Sequence, residues 1–168
     1  MKRIAATLMM MVLAAAAGAG ELAIRGDFPE PRKPGQPPKS WNKISGAQGS
    51  LEFVSAESGN AVMLTADEKK TFGIYSQPSA AKAGDKIKVT AKVRGDRVTF
   101  AIFQYSGKSG SSAQRKVLKS TAEGKDLEAV FTVTDTPKGA TDRIRVCFMV
   151  ENGASASITD VKAFLLEE

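Results

Sequence analysis

The strongest constraint on the fold is a period-two alternation of polar and apolar side chains over residues 86–93. Such alternation is typical of a β-strand that buries one face and exposes the other. Residues 97–105 continue the alternation after the turn-forming pair Gly95-Asp96, so the sequence predicts a β-hairpin over residues 86–105. Helical periodicity is absent beyond residue 39, which favours an all-β protein.

Further short strands are predicted along the chain, separated by turns rich in glycine, proline and asparagine. Their ranges are 51–55, 61–65, 73–77, 117–122, 127–133, 142–150 and 157–166. Strands of this length and spacing indicate a two-sheet antiparallel β-sandwich of the jelly-roll type, with little helix outside the N-terminal segment. We expect one domain over residues 20–168.

Two segments are predicted to be loops. Residues 28–39 contain five prolines, and proline lacks the amide hydrogen that a sheet needs. The glycine–serine tract over residues 106–112 is predicted to be flexible.

The alternation also assigns side chains to faces. The residues expected to point inward are Ile87, Val89, Ala91, Val93, Val98, Phe100, Ile102, Leu127, Ala129, Phe131, Val133, Ile144, Val146, Phe148 and Val150. The opposite face carries Thr99, Ala101, Phe103 and Tyr105 on one strand and Arg143, Arg145, Cys147 and Met149 on another. That second face is where aromatic and guanidinium groups can converge on a solvent-facing sheet.

Residues 1–19 read as a cleavable signal peptide. Lys2 and Arg3 form a positive start, residues 4–17 are almost continuously apolar, and small residues follow. The apolar run is shorter than the roughly 20 residues of a membrane-spanning helix, although a retained anchor is the alternative. We therefore expect a secreted or periplasmic protein, cleaved near Ala19.

Composition excludes several function classes. Without Lys2 and Arg3 the chain has 22 basic and 18 acidic residues, a net charge of +4, and its lysines are scattered along the sequence. A nucleic-acid footprint would be clustered, so no nucleic acid is expected as a partner. Histidine is absent, which excludes serine triads, Cys–His pairs and most zinc sites. No carboxylate pair stands out for glycosidic cleavage, so we do not expect an enzyme.

The single cysteine, Cys147, cannot form an internal disulfide. It lies in the apolar run 144–150, where a free thiol behaves as a small hydrophobic group. A reactive or intermolecular thiol is the alternative.

Both ends of the domain resemble the jelly-roll carbohydrate-binding modules, which are galactose-binding-domain-like sandwiches. Residues 21–28, the proline-bearing loop and Trp41 are similar to their opening, an Asn-Gly-Asp-Phe-Glu strand followed by Pro-x-x-Trp. Residues 73–77 and 83–89 are similar to internal strands, and residues 156–164 to the closing strand with its aspartate. Arg25 replaces the usual asparagine, and Pro29 displaces the glutamate by one position, to Glu30.

The resemblance implies a non-catalytic domain that binds a poly- or oligosaccharide on an exposed sheet face. Sugar rings stack on aromatic side chains, and their hydroxyls need polar partners. We therefore predict that the ligand contacts Phe103, Gln104, Tyr105, Arg145 and Trp41. Two alternatives are that Trp41 packs at the sandwich edge and that Phe103 lies beneath the 28–39 loop.

The resemblance also implies a structural calcium ion. Asp160, with Asp27 or Glu30 and with backbone carbonyls, would supply the oxygen ligands that calcium prefers. Alternatively, Asp160 hydrogen-bonds to the first strand and Asp27 shapes a turn. Two other functions stay open: a structural or adhesive envelope protein that contacts other proteins, and a glycosidase-like enzyme.

Overall fold

The computed structural model describes residues 20–56, 59–95, 97–107 and 110–167. Within these ranges the chain forms β-strands without any helix, so no helix long and apolar enough to cross a membrane occurs there. The predicted signal peptide lies outside the described residues.

In chain order the strands are β1 (Gly20–Glu21), β2 (Trp41–Lys43), β3 (Gly49–Ala56), β4 (Gly59–Ala66), β5 (Thr71–Ser76), β6 (Ser79–Ala80), β7 (Lys86–Gly95), β8 (Arg97–Ser106), β9 (Gly110–Lys119), β10 (Lys125–Thr132), β11 (Arg143–Glu151) and β12 (Ser155–Leu166). Sheet one has the order β10-β7-β12-β4-β3, with β1 beside β12, and sheet two has the order β2-β5-β11-β8-β9, with β6 beside β11. All these pairings are antiparallel. The predicted all-β, two-sheet sandwich is confirmed.

The predicted hairpin over residues 86–105 is wrong. Its two strands are consecutive but lie in different sheets, since β7 pairs with β10 and β12 whereas β8 pairs with β9 and β11. Gly95 forms the corner with a φ of +122°, and a side chain there would collide with the carbonyl oxygen of Ser155. Alternation records only that each strand buries one face, so it does not distinguish a hairpin from a corner between packed sheets.

Strand pairing also extends into both ends of the glycine–serine tract, which the sequence predicts to be a flexible loop. Ser106 pairs with Gly110, and β9 continues through Ser111 and Ser112 alongside β8. Because β9 is an edge strand, most of its side chains are exposed. The alternation that identifies a half-buried strand is therefore missing from its sequence.

The inward faces of the two sheets form one hydrophobic core, and every residue that the alternation assigned inward is buried in it. Four aromatic rings pack in a chain at its centre. The centroid of Trp41 lies 5.1 Å from Phe28 and 5.8 Å from Phe148, and Phe148 lies 4.8 Å from Phe100. The 28–39 segment is irregular, as predicted, but its first residue is anchored in the core.

A smaller apolar cluster lies on the outer face of sheet two. Ala101, Cys147 and Met149 are buried there beneath Ile44, Tyr75 and Phe103. Burial raises the pKa of the Cys147 thiol well above its usual range, although Arg115 opposes this. The cysteine is therefore a protonated, enclosed thiol.

Truncation of the central aromatic chain should destabilise the whole domain. We expect Phe148→Ala to lower the free energy of unfolding by about 3–5 kcal/mol, through lost burial and a residual cavity. Chemical denaturation measures the change. Val117→Ala is the control, because Val117 is 62% exposed and its loss should stay within about 0.5 kcal/mol. Equal losses for the two variants would contradict this assignment of the core.

The thiol of Cys147 should be inert in the native protein. A water-soluble aromatic disulfide reagent should leave it unmodified at mildly alkaline pH and should react stoichiometrically once denaturant unfolds the chain. Val117→Cys provides an exposed thiol on the same face as a positive control. Native Cys147 reacting as fast as that introduced thiol would show that the outer cluster does not enclose it.

Candidate functional site

Aromatic and arginine side chains converge on the outer face of sheet two. Tyr75 comes from β5, Phe103 and Tyr105 from β8, and Arg143 and Arg145 from β11; we call these five residues the aromatic–arginine patch. Strand register brings them together, since Arg143 lies opposite Tyr105 and Arg145 opposite Phe103. Tyr75 lies one row further along, opposite the residue at position 147. All five side chains are half-buried.

The guanidinium of Arg145 contacts two tyrosine rings. Its Cζ lies 4.7 Å from the ring centroid of Tyr75 and 5.7 Å from that of Tyr105. The Cζ of Arg143 lies 5.7 Å from the Tyr105 centroid, and the Tyr75 and Phe103 centroids are 6.4 Å apart. Each cation–π contact of this kind contributes about 0.5–1 kcal/mol at an exposed site. The five side chains therefore hold one another in place on the apolar cluster beneath them.

The two arginines differ in their hydrogen bonds. Arg143 donates from Nη1 to the Asp142 carboxylate at 2.9 Å and from Nη2 to the carbonyl of Gly107. The side chain of Arg145 forms neither a hydrogen bond nor an ion pair with any residue that the structure describes. A guanidinium carries five N–H donors in a planar fork, so the patch presents donors that the described protein leaves free.

Tyr105 stays neutral in this setting. Burial raises the pKa of its phenol above the usual value, and the positive charge of Arg145 opposes that shift. A neutral phenol can both donate and accept a hydrogen bond. Tyr105 thus offers a ring face and a hydroxyl to the same ligand.

Trp41 and Gln104 do not lie on this face, which corrects two of the predicted ligand contacts. Trp41 is 3% exposed, and its Nε1 donates to the carbonyl of Arg25 at 3.0 Å. Gln104 is 1% exposed because it alternates with its neighbours on β8 and points inward. Its Nε2 donates to Ser112 at 2.9 Å, and its Oε1 accepts from the backbone N–H of Thr134 at 2.8 Å. Both side chains stabilise the fold.

Phe103, Tyr105 and Arg145 do come together as the sequence predicted. Tyr75 and Arg143 were missing from the predicted site. Alternation with Arg145 already places Arg143 on the correct face. Tyr75 carries no comparable local signal, because its position depends on the pairing of β5 with β11.

The predicted calcium ligands divide between two grooves. Asp27 and Asp160 both line a groove of about 640 Å³ between the N-terminal segment and β12, together with Asn60. Glu30 lines a separate groove beside Phe53. Among the described residues, no three Asp, Glu, His or Cys side chains are grouped so that they could hold a metal ion. Of the two alternatives for the second acidic ligand, Asp27 shares a groove with Asp160, whereas Glu30 does not.

Asp160, one of the acidic residues that line the first groove, has an unusual backbone conformation. The register between β12 and β7 shifts between Thr159 and Lys162, and Asp160 in this bulge has a φ of +52°. The Oδ1 atom of Asp27 lies 3.4 Å from Nε of Arg25, and both side chains are largely exposed. Two carboxylates and nearby backbone carbonyls are oxygen donors of the kind that calcium takes.

Comparison with known proteins shows the fold. No protein-family profile and no curated protein matches the chain, whereas solved structures do. The CBM22-1 xylan-binding domain from Paenibacillus barcinonensis Xyn10C superposes with a TM-score of 0.60 at 10% identity, covering 91% of this chain and 99% of that one. A family 11 carbohydrate-binding module from Clostridium thermocellum, in complex with a β-1,3-1,4-mixed-linked tetrasaccharide, gives 0.57 at 17% identity, covering 90% and 100%.

A cyclase from Fischerella sp. TAU has the same overall fold, with a TM-score of 0.62 at 13% identity and coverage of 90% of this chain and 100% of that one. The same sandwich therefore occurs in binding modules and in a catalyst, and the fold alone does not decide between them. What the comparisons establish is that this chain has the jelly-roll fold of carbohydrate-binding modules, as its sequence predicted.

Proposed function

We propose that this chain is an exported, non-catalytic carbohydrate-binding domain that takes a poly- or oligosaccharide on the aromatic–arginine patch. The observation that carries the proposal is the convergence of three aromatic rings and a free guanidinium on one outer sheet face. Sugar rings stack their C–H faces on aromatic rings, while N–H and phenol groups bond to their hydroxyls. Recovery of the exported protein with a mass that lacks residues 1–19 tests the export part.

The patch is organised before any ligand arrives. Tyr75 and Phe103 rest on the buried outer cluster, and Arg145 contacts both tyrosine rings. Side chains that are already fixed lose little conformational entropy on binding, which otherwise costs about 0.5–1.5 kcal/mol for each immobilised side chain. This rigidity supports recognition by a few contacts.

The solved structures of the same fold support a saccharide as the ligand. One is a xylan-binding domain, and another was solved with a mixed-linked tetrasaccharide. The local chemistry supports binding without catalysis. Asp142, the carboxylate beside the patch, is already paired with Arg143, whereas glycosidic cleavage needs two working carboxyl groups.

Removal of one ring should weaken saccharide binding. We expect Tyr105→Ala to reduce affinity at least about tenfold in affinity electrophoresis and calorimetry, a loss of about 1.4 kcal/mol. Phe164→Ala is the matched control, because Phe164 is a half-buried aromatic residue on β12 that alternates with core residues and so faces away from the core of sheet one. Circular dichroism verifies that both variants fold.

Two results would contradict the proposal. One is an equal loss of affinity in both variants. The other is an absence of binding across a broad panel of neutral and acidic polysaccharides, combined with specific capture of an envelope protein, which would favour the adhesive alternative.

We also propose that Asp27 and Asp160 hold a structural calcium ion between the N-terminal segment and β12. Both carboxylates line the same groove, and the left-handed backbone at Asp160 is a conformation that Asp and Asn adopt more readily than other side chains. When bound, the ion would join two segments that are distant in sequence. It plays no part in the binding chemistry of the patch.

Excess calcium should raise the melting temperature above that of a chelator-treated sample. A ligand present at about 100 times its dissociation constant stabilises the folded state by about 2.7 kcal/mol. Asp160→Asn should abolish the rise, since asparagine keeps the backbone conformation and loses the charge. Glu30→Gln should retain it. A melting temperature unchanged by calcium in the unsubstituted protein would disprove the site.

A further inference from the structure

The two outer faces of the sandwich carry very different charge. On sheet two, the residues that share the outward register of the patch include five basic side chains and one acidic one: Arg97, Arg115, Lys119, Arg143, Arg145 and Glu151. On sheet one, the outward register of the described strands holds five basic and four acidic side chains: Lys86, Lys88, Lys92, Arg94, Lys162, Glu21, Glu52, Asp126 and Glu128. The two faces have equal numbers of basic side chains, but acidic side chains are scarce on the face that carries the patch, so its net charge is the more positive.

Ion pairs leave most of the basic side chains on the outer face of sheet two uncompensated. On sheet one, Lys88 Nζ lies 2.7 Å from Glu128. On sheet two, Arg143 pairs with Asp142, but none of Arg97, Arg115 and Arg145 forms an ion pair with another described residue. Uncompensated charge of one sign attracts ligands of the opposite sign and accelerates their association.

Among these basic groups, the half-buried guanidinium of Arg145 would gain most from an anionic ligand. Its position between two tyrosine rings removes part of its hydration, and no described protein acceptor replaces that water. A carboxylate fits the guanidinium fork with two parallel charge-assisted hydrogen bonds, which are about twice as strong as neutral ones. A neutral sugar would leave this charge without a counterion.

We propose that the saccharide bound by the aromatic–arginine patch is acidic, a polysaccharide that contains uronate residues, an inference that rests on the carbohydrate-binding function proposed above. In a uronate the carboxylate is bonded directly to the pyranose ring. One sugar residue can therefore stack on a tyrosine ring while its carboxylate reaches Arg145, whose Cζ lies 4.7 Å and 5.7 Å from the two ring centroids. Arg115 and Arg97 extend the positive face along the neighbouring strands for further uronate residues.

Nucleic acid fits this arrangement less well. It also combines stacking groups with anions, but its phosphates are separated from each base by a sugar. The patch places its free guanidinium directly between the stacking rings, and Asp142 borders the patch. A short connection between ring face and anion is the feature that a uronate supplies.

The test compares matched polysaccharides that differ only in charge. The full domain is titrated with polygalacturonate, alginate and glucuronoxylan, each beside its own carboxyl-reduced form, by affinity electrophoresis and calorimetry. We expect binding to at least one uronate polymer to be at least about tenfold tighter than to its reduced form. The difference should shrink as salt rises, because the screening length falls to about 8 Å at physiological ionic strength.

Variants locate the effect on the patch. Arg145→Gln should remove the preference for the charged form while remaining folded by circular dichroism. Arg145→Lys keeps the charge but loses the fork, so it should retain part of the preference. Arg94→Gln, on the outer face of sheet one, is the matched control and should change nothing.

The outcomes separate the two proposals. Equal affinity for the charged and reduced forms overturns the acidic-ligand inference and leaves saccharide binding in place. An absence of binding to every polymer, charged or neutral, overturns both. A single-stranded oligothymidylate that binds as tightly as the best uronate polymer overturns the inference in favour of nucleic acid.

Discussion

The packing of Trp41 between Phe28 and Phe148 is the contact on which the rest of the structure depends. It anchors the irregular N-terminal segment in the core, and its indole N–H donates to the backbone of that segment. Because Trp41 begins β2, the same contact positions β2 against β5, where Asn42 lies opposite Tyr75. A buried ring on one face of the sheet thus helps to place a ring of the aromatic–arginine patch on the other.

Local alternation was sufficient to predict most strands and their faces, since burial of one side of a strand is recorded in every second residue. Gln104 is predicted as a ligand contact, although the alternation of side chains directs it inward. It is adjacent in sequence to Phe103 and Tyr105, which made it an attractive ligand contact. The same alternation that places its neighbours on the outer face directs it inward, where four hydrogen bonds with three residues satisfy its amide.

Pairing between distant strands could not be predicted in this way. The patch needs β5 beside β11 and β11 beside β8, which joins residues about 70 positions apart, such as Tyr75 and Cys147. Non-local pairing is determined by packing of the whole core, so a short window of sequence does not contain the information that would predict it. The same limit explains the false hairpin, because β7 and β8 bury their inward faces from opposite sides of one core.

The distribution of charged side chains over the outer faces of the sheets also depends on strand pairing. Lysine and arginine are scattered along the chain, and on this ground the sequence predicts no nucleic-acid partner. Folding nevertheless brings Arg97, Arg115 and Arg145 to outward positions on three neighbouring strands. Acidic side chains fall mainly on sheet one and in turns, so a modest net charge conceals a strongly basic face. An even distribution in sequence therefore excludes a charged linear motif, but it does not exclude a charged sheet face. Such a face is assembled from alternate residues of strands that meet only in the folded protein.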